Sequence, residues 1–221
     1  MTGIAAPAVP VLPDLEGRSA EQIVRWAVDE YGPDIVLTAS MADAVMIDLV
    51  HRVDPAIPVV FIDTGFHFRE TYHTVARVKK RYPGLELVSV GPGASAEPIY
   101  KTGDLDGCCA VNKVKPFEES LAGNRAWLTG LRRADAPGRA DTRAVHWDEK
   151  RGLVKVNPIV AWSDDDVDAY IAEHDVIVNP LLFDGYPSIG CEPCTQRVAA
   201  GDDSRAGRWA GSTKTECGLH I

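Results

Sequence analysis

The sequence predicts one α/β domain with helices on both faces of a mostly parallel sheet, the doubly wound arrangement. Short apolar runs rich in β-branched residues alternate along the chain with longer helix-like segments. Such alternation is typical of parallel strands joined by crossover helices. The chain has 221 residues, of which 45% are hydrophobic and 25% are charged. This length and composition suit a single well-buried core.

Helix and strand signals alternate through residues 19–90. Ser19 is a typical N-cap and begins a predicted helix over residues 19–30, with Glu21 and Gln22 in its first turn. The elements predicted to follow are a strand over 34–38, a helix over 42–53, a strand over 58–63, a helix over 67–82 and a strand over 85–90. Pro83 and Gly84 end the last of these helices, because neither residue continues a helix well.

The second half of the chain carries fewer and weaker signals. We predict a helix over 113–121, strands over 126–129 and 153–156, and a helix over 163–173. Ser163 caps this last helix, and acidic residues fill its first turn, where the helix dipole favours negative charge. Residues beyond Asn179 are loop-rich. We expect a disordered lead-in over 1–18, the α/β domain over 19–200 and a flexible C-terminal tail over 201–221.

Charge and hydropathy restrict the location and the partners. The start of the chain lacks the basic residues of a signal peptide, and no apolar run reaches membrane-spanning length, so we expect a cytoplasmic protein without membrane contact. A net charge of −9 argues against a nucleic-acid partner. Residues 101–155 are nevertheless locally basic. Such a patch suits a small anionic ligand, although an uneven surface without function explains it equally well.

Five cysteines form three groups: the adjacent Cys108 and Cys109, the pair Cys191 and Cys194 in Gly-Cys-Glu-Pro-Cys, and the separate Cys217. Four clustered thiols in a reducing compartment favour a metal or iron–sulfur centre over disulfides. Zinc sites use spaced pairs, so adjacent cysteines favour iron–sulfur, with structural zinc or buried thiols as alternatives. Because neighbouring side chains on a strand or a helix diverge, binding Cys108 and Cys109 to one centre needs a special backbone, which we expect near a helix start. Cys217 is then left as a candidate nucleophile.

Ligands of open α/β sheets collect at the carboxyl ends of the strands. Three polar or small-residue segments lie at the ends of predicted strands and are therefore candidate anion sites: Thr38-Ala39-Ser40-Met41-Ala42-Asp43, Asp63-Thr64-Gly65, and Thr129-Gly130-Leu131-Arg132-Arg133 continuing to Arg139. Guanidinium groups bind phosphate or sulfate through two hydrogen bonds each. The alternatives are small residues placed for packing, an Asp63 that only caps a helix, and a solvated basic loop.

Taken together, these segments resemble the assimilatory sulfonucleotide reductases, specifically the iron–sulfur-containing adenylyl-sulfate reductases. The resemblance runs from about residue 35 to the end of the chain. It is carried by Ser40 to Asp43, Asp63-Thr64-Gly65, Cys108-Cys109 with Lys113, Thr129-Gly130, Arg132-Arg133 and Arg139, Cys191-Glu-Pro-Cys194, Gly207-Arg208-Trp209, and Glu216-Cys217-Gly218-Leu219-His220.

The resemblance implies a fold of the adenine-nucleotide α-hydrolase type, also called PP-loop-like. It implies reduction of adenosine 5′-phosphosulfate (APS) to sulfite and AMP, with thioredoxin as electron donor, through an S-sulfocysteine on Cys217. One 4Fe–4S cluster is then expected on Cys108, Cys109, Cys191 and Cys194. The cations expected to act in catalysis are Lys113, Arg132 and Arg133. The expected substrate-binding residues are Ser40, Met41, Asp63, Thr64, Gly65, Gly130, Arg139, Arg205 and Arg208.

The sequence departs from the family in three places. Met41 and Ala42 follow the serine where the phosphate loop often carries glycine, Ala136 replaces a frequent serine, and the tail before Cys217 lacks an aromatic run. A 3′-phospho-APS reductase or a dual-specificity enzyme is the alternative within the family. A tRNA thiolation enzyme would need a Ser-Gly-Gly loop and a basic RNA surface. An iron–sulfur redox sensor would not need the arginines or the tail cysteine. A homo-oligomer is compatible with the sequence.

Overall fold

The computed structural model describes residues 9–199 and 201–219. Its strands are β1 (Ile35–Thr38), β2 (Val59–Ile62), β3 (Leu87–Val90), β4 (Ala126–Thr129), β5 (Val145–Asp148) and β6 (Leu153–Val156). Its α-helices are α1 (Ala20–Tyr31), α2 (Val45–Val53), α3 (Arg69–Arg81), α4 (Leu105–Cys109), α5 (Lys115–Leu121) and α6 (Asp164–His174). The predicted alternation of strands and helices, and with it the α/β fold class, is confirmed.

The six strands form one sheet in the order β3-β2-β1-β4-β6-β5. All neighbours are parallel except the β5–β6 hairpin. The chain reverses its direction across the sheet between β1 and β4, whose last residues, Thr38 and Thr129, are paired. Ligands bind at such a reversal in open α/β sheets. The predicted segments after β1 and β4 therefore lie side by side, although the sequence separates them widely.

Two hydrophobic clusters lie on opposite faces of the sheet. The larger cluster packs side chains of α1, α2 and α3 against one face, with Ile35, Leu37 and Leu128 among its strand residues. The smaller cluster contains Phe117 of α5 and Trp127 of β4, both fully buried. Because strand residues alternate between faces, β4 contributes to both clusters. The predicted doubly wound arrangement is confirmed by this two-sided covering.

Three elements differ from the prediction. Strand β5 was not predicted because only Val145 in it is buried, as suits an edge strand. Helix α2 begins at Val45 rather than Ala42, because the Asp43 carboxylate accepts a hydrogen bond from the Val45 N–H (2.9 Å) and ends the preceding loop. The helix predicted from Lys113 begins earlier, at Leu105, and contains a π-helical turn over Ala110–Val114.

Both ends of the described chain lie against the domain. Residues 1–8 of the predicted lead-in lie outside the described residues, whereas Leu12 and Leu15 pack against the larger cluster. Leu219 packs against the smaller cluster, so the tail folds back over α5. Within residues 9–199 and 201–219, no helix combines the length and the apolar character needed to cross a membrane. The predicted domain boundaries and the flexibility of the tail stay predictions.

Candidate functional site

All five cysteines line one cavity. The cavity lies between helix α4 with the π-helical turn, the loop after β2, the loop around residue 191 and the tail. The other lining residues are Thr64, Phe66, Tyr100, Leu105, Asn112, Lys113, Pro193, Arg208 and Trp209. The structure therefore brings together the three cysteine groups and two of the predicted cations.

The adjacent cysteines end helix α4 and are followed directly by the π-helical turn. Asp104 caps α4 by accepting a hydrogen bond from the Gly107 N–H (2.7 Å). In a regular α-helix neighbouring side chains diverge, and the π-helical turn after the cysteines changes how α4 is oriented relative to α5. The buried Asn112 on this turn donates to the Glu97 carbonyl (3.0 Å) and to Cys108 Sγ (3.5 Å). The special backbone expected near a helix start is therefore not found at the cysteines themselves: both lie in α4, Cys109 with regular helical angles (φ −63°, ψ −41°), and the π-helical turn follows them.

The second cysteine pair is fixed to the end of β2. The backbone of Cys191 pairs with that of His67 in an isolated antiparallel β-bridge, and the Glu192 N–H donates to the Phe66 carbonyl (2.7 Å). Thr64 Oγ1 lies 3.2 Å from Cys191 Sγ. A short 3₁₀ turn over Glu192–Cys194 then places Cys194 in the cavity. The Asp63-Thr64-Gly65 segment therefore supports a cysteine loop as well as ending a strand.

The thiol set suits a polynuclear centre. Burial raises the pKa of Cys109, and burial together with the neighbouring cysteines raises the pKa of Cys194 to about 11. A bound metal centre would offset these raised pKa values, because coordination keeps thiols deprotonated. Among the described residues no three His, Cys, Asp or Glu side chains are arranged to hold a single metal ion. Four thiols around one cavity match the donor set of an iron–sulfur cluster.

Cys217 is buried in the same cavity, with only 8% of its surface exposed. Burial by itself works to raise the pKa of its thiol. The Lys113 ammonium, the Leu219 N–H and the Arg208 guanidinium together outweigh burial, so the pKa of Cys217 lies below the ordinary thiol value. A thiolate is the nucleophilic form of cysteine. The tail therefore carries an activated thiol into a cationic environment.

Arg208 reaches the cavity from the start of the tail. Its guanidinium lies over the Trp209 ring (4.4 Å) and donates to the Ser188 hydroxyl and the Ile189 carbonyl (both 3.3 Å). A Cβ atom at Gly190 would lie 2.4 Å from Arg208 Nη2, so only glycine permits this approach. These contacts fix the guanidinium beside the cysteines.

Arg139 and Arg205 converge on the carboxylate of Glu216, the residue before Cys217. Arg139 donates from Nε (3.2 Å) and Nη2 (2.8 Å) to Glu216 Oε1, while Arg205 Nη2 donates to Oε2 (3.2 Å). Two predicted substrate-binding arginines, Arg139 of the domain and Arg205 of the tail, are thus paired with the residue before Cys217. Because these are charge-assisted hydrogen bonds, they are stronger than neutral ones.

Arg132 and Arg133 point to different partners. Arg132 Nη2 pairs with Asp135 (2.8 Å) and Asp164 (2.9 Å). Arg133 donates to the Thr142 carbonyl (2.8 Å) and to Glu16 of the N-terminal segment (2.7 Å). Neither residue lines the cysteine cavity. Their predicted contact with an anion stays a prediction.

The segment after β1 lies at the switch point with Ser40 exposed and Met41 buried. Met41 has a φ of 64°, in the left-handed region that glycine adopts at lower cost. The conformation is held by buried Asn179, whose side chain donates to the Met41 carbonyl (3.2 Å). The position where the resembling family often carries glycine thus keeps a glycine-like backbone without one. Gly130, after β4, is exposed beside this loop.

Three residues that support the site or the tail were not identified from the sequence. Asn179 supports the loop after β1 as described. Lys155 on β6 is buried, and its ammonium lies 4.9 Å from the centre of the Trp127 ring. Arg151, in the turn between β5 and β6, donates to the carbonyl of Gly218 in the tail (3.1 Å). A charged residue inside an apolar strand pattern was the available signal for Lys155, whereas the other two carry no local signal.

Comparison with protein families matches residues 34–197 to the phosphoadenosine phosphosulfate reductase domain. The chain is 50% identical over 214 residues to an adenosine 5′-phosphosulfate reductase of Streptomyces coelicolor, covering 94% of this chain and 90% of the relative. A protein of the same name from Mycobacteroides abscessus is 46% identical with the same coverage. Another, from Mycobacterium tuberculosis, is 42% identical, and the match covers 94% of this chain and 91% of the relative.

Solved structures show the same architecture. A phosphoadenylyl-sulfate reductase from Candida auris, in a phosphate complex, has a TM-score of 0.68 and 30% identity, covering 83% of this chain and 92% of that one. A Candida glabrata FMN adenylyltransferase with FAD and pyrophosphate has a TM-score of 0.59 and 14% identity, covering 82% and 68%. The second likeness concerns the fold alone.

Proposed function

Because the chain belongs to the phosphoadenosine phosphosulfate reductase domain family, we propose that it reduces APS to sulfite and AMP in sulfate assimilation and cysteine biosynthesis. Relatives at 42–50% identity over most of the chain carry the name adenosine 5′-phosphosulfate reductase, which supports APS over its 3′-phosphorylated analogue. The observation that carries the proposal is the position of Cys217. It lies buried beside Lys113 in the cavity that the other cysteines line.

The first step is nucleophilic substitution at sulfur. The Cys217 thiolate attacks the sulfate sulfur of APS, a sulfur–sulfur bond forms, and the bond from that sulfur to the phosphate oxygen breaks. AMP leaves with the electron pair, and Cys217 carries an S-sulfonate. Lys113 and Arg208 supply positive charge beside the thiolate. By analogy with oxyanion-hole donors, each cation contributes roughly 2–4 kcal/mol to the transition state.

The second step needs an external dithiol, for which we propose thioredoxin. One thioredoxin thiolate attacks the Cys217 sulfur, and sulfite leaves with the electron pair. The second thioredoxin thiol resolves the mixed disulfide, which returns Cys217 as a thiolate and oxidises thioredoxin. Both electrons come from the dithiol, so no other donor is required. A reducing cytoplasmic compartment suits this donor and the free thiols.

Cys108, Cys109, Cys191 and Cys194 would hold one 4Fe–4S cluster in this scheme. When bound, the cluster would join helix α4 to the loop around residue 191 and act on the substrate electrostatically. Lys113 lies on the π-helical turn directly after the cysteine pair and lines the same cavity. It can therefore couple the cluster region to the thiolate of Cys217. In this scheme residues 19–200 form the nucleotide-binding domain and residues 201–221 the catalytic tail.

The test is the variant Cys217→Ser. A serine hydroxyl ionises far less readily than a thiol, so the variant should bind AMP as the parent does but release no sulfite from APS. The parent mixed with APS alone should gain one sulfonate on the C-terminal peptide, detected by mass spectrometry, and reduced thioredoxin should remove it. Turnover by the variant, or a sulfonate on another cysteine, would rule out the assigned nucleophile. Running 3′-phospho-APS in parallel distinguishes the two substrates.

A further inference from the structure

The residues on either side of Cys217 are held by different arginines. Before it, the Glu216 carboxylate is bound by Arg139 and Arg205. After it, the carbonyl of Gly218 accepts a hydrogen bond from Arg151 Nη2 (3.1 Å). The nucleophile is therefore flanked by two separate attachments of the tail to the domain.

The guanidinium of Arg151 is fixed by the domain itself. Its side chain is only 6% exposed, and Nη1 pairs with Asp148 at 2.8 Å. The group also lies over the Phe117 ring, 5.1 Å from its centre. Asp148 ends β5 and Phe117 belongs to α5, so neither contact depends on the tail. A donor held in this way loses little freedom when the tail arrives.

The backbone of the tail turns at Gly218, which brings its carbonyl to the Arg151 guanidinium. Gly218 has a φ of 86°, and a Cβ atom there would lie 3.2 Å from Val114 Cγ2 on the π-helical turn. A glycine therefore allows the backbone to turn close to the domain. Leu219 follows and packs against the smaller hydrophobic cluster. The turn, the apolar contact and the Arg151 hydrogen bond all act on the residues directly after Cys217.

We propose that Arg151 is a positioning residue, which keeps the tail docked with Cys217 in the cavity by binding the Gly218 carbonyl. The proposal rests on the proposed function, in which Cys217 is the nucleophile. Arg151 does not touch the reacting atoms and does not line the cavity. Its effect is on the fraction of molecules in which the thiol is in place.

The test measures how accessible Cys217 is in the intact, anaerobically prepared protein. Iodoacetamide labels the cysteine when the tail leaves the cavity, and mass spectrometry of the C-terminal peptide gives the rate. Loss of a hydrogen bond from a charged donor should raise the labelling rate of Arg151→Gln roughly tenfold. Arg25→Gln is the matched control, because Arg25 forms an exposed pair with Glu21 on α1. It should label at the parent rate.

A second readout separates positioning from damage to the fold. In a single turnover with APS, sulfonation of Cys217 should slow in Arg151→Gln, while AMP affinity and the visible absorption spectrum stay as in the parent. Arg151→Lys keeps the charge beside Asp148 but lacks the second arm of the guanidinium. It should therefore show an intermediate labelling rate. A general structural defect would instead lower AMP affinity together with the sulfonation rate.

A variant without the Arg151 side chain leaves the half-buried Asp148 carboxylate without its guanidinium partner and can fail to fold for that reason. The double variant Asp148→Asn with Arg151→Gln removes both charges and should show the same increase in labelling. Parent-like labelling and sulfonation in a folded variant would overturn the positioning role. Turnover by Cys217→Ser would instead overturn the proposed nucleophile, and the labelling rates would still report on tail docking.

Discussion

Cations that look equivalent in the sequence have different partners in the structure. Arg132 and Arg133 were both predicted to bind the anionic substrate. Arg132 has an extended backbone, with φ −120° and ψ 150°, and side chains that follow one another in such a backbone point to opposite sides. Arg133 accordingly turns to Glu16 of the N-terminal segment. Sequence could supply the residue types, whereas their directions depend on a loop conformation that leaves no local pattern.

Replacement of Arg139 by Ala should weaken APS binding more than replacement of Arg133. Arg139 faces the tail beside the nucleophile, whereas Arg133 is engaged with the Thr142 carbonyl and the N-terminal segment. Loss of charge-assisted contacts to an anion should reduce APS affinity roughly tenfold or more for Arg139→Ala. Arg133→Ala should mainly lower the melting temperature. Competition binding and thermal unfolding measure both effects, and an equal loss of affinity in the two variants would contradict this ranking.

Burial of Lys155 should make stability depend on pH. Burial lowers the pKa of Lys155 from its ordinary value of 10.5 to about 8. Between these values the unfolded chain binds more protons at this site than the folded chain, so stability should rise as pH increases from 8 to 10.5. Lys155→Met should lack this contribution. Urea unfolding of parent and variant at both pH values gives the difference, and parallel pH curves would disprove the shift.

At the scale of elements, the π-helical turn is the feature that the sequence could only outline. The adjacent cysteines required an unusual backbone, and the apolar pattern placed a helix from Lys113. Neither signal gives the extra residue of a π-helical turn, because its hydrogen bonds depend on how α4 and α5 are joined. Strand β5 was missed for a related reason. An edge strand with one buried residue has almost no periodic signal.

Deletion of Val111 should convert the π-helical turn towards a regular α-helix. Val111 is exposed at 47%, so its loss removes little buried surface. One residue fewer rotates the preceding cysteines by about 100° relative to α5, since an α-helix has 3.6 residues per turn. The deletion variant should therefore lose bound iron. The control Val111→Ala keeps the residue count and should retain iron, as measured by metal and sulfide analysis. Full iron content in the deletion variant would refute the role given to this turn.

At the scale of the whole molecule, the sheet order collects residues from distant parts of the chain. The predicted strands and crossover helices were sufficient to give the fold class, whereas the switch point between β1 and β4 follows from the strand order, which was not predicted. The cysteines and the strand-end segments could also be chosen from sequence. Docking of the tail could not, because it depends on Arg151 and on the apolar surface near Leu219, which exist only after the domain has folded.

The assembled protein should contain about four irons and four inorganic sulfides per chain when it is purified without oxygen, as a 4Fe–4S cluster requires. Replacing Cys109 or Cys191 by Ser should abolish the brown colour and lower the melting temperature, because the cluster would connect α4 to a loop far along the chain. Metal analysis and thermal unfolding check both results. One zinc per chain without sulfide would replace the iron–sulfur proposal with a zinc site.

The pairing of Glu216 with Arg139 and Arg205 makes the tail an internal counter-ion. An arriving anion that uses the same guanidinium groups must exchange with this carboxylate, whereas the neutral carbonyl held by Arg151 offers it nothing to displace. Salt screens the ion pairs of the first attachment more than it affects the hydrogen bond to a neutral carbonyl in the second. The tail therefore has one attachment, at Glu216, that responds to anions and ionic strength, and another, at Gly218, that stays bound to the domain while the exchange takes place.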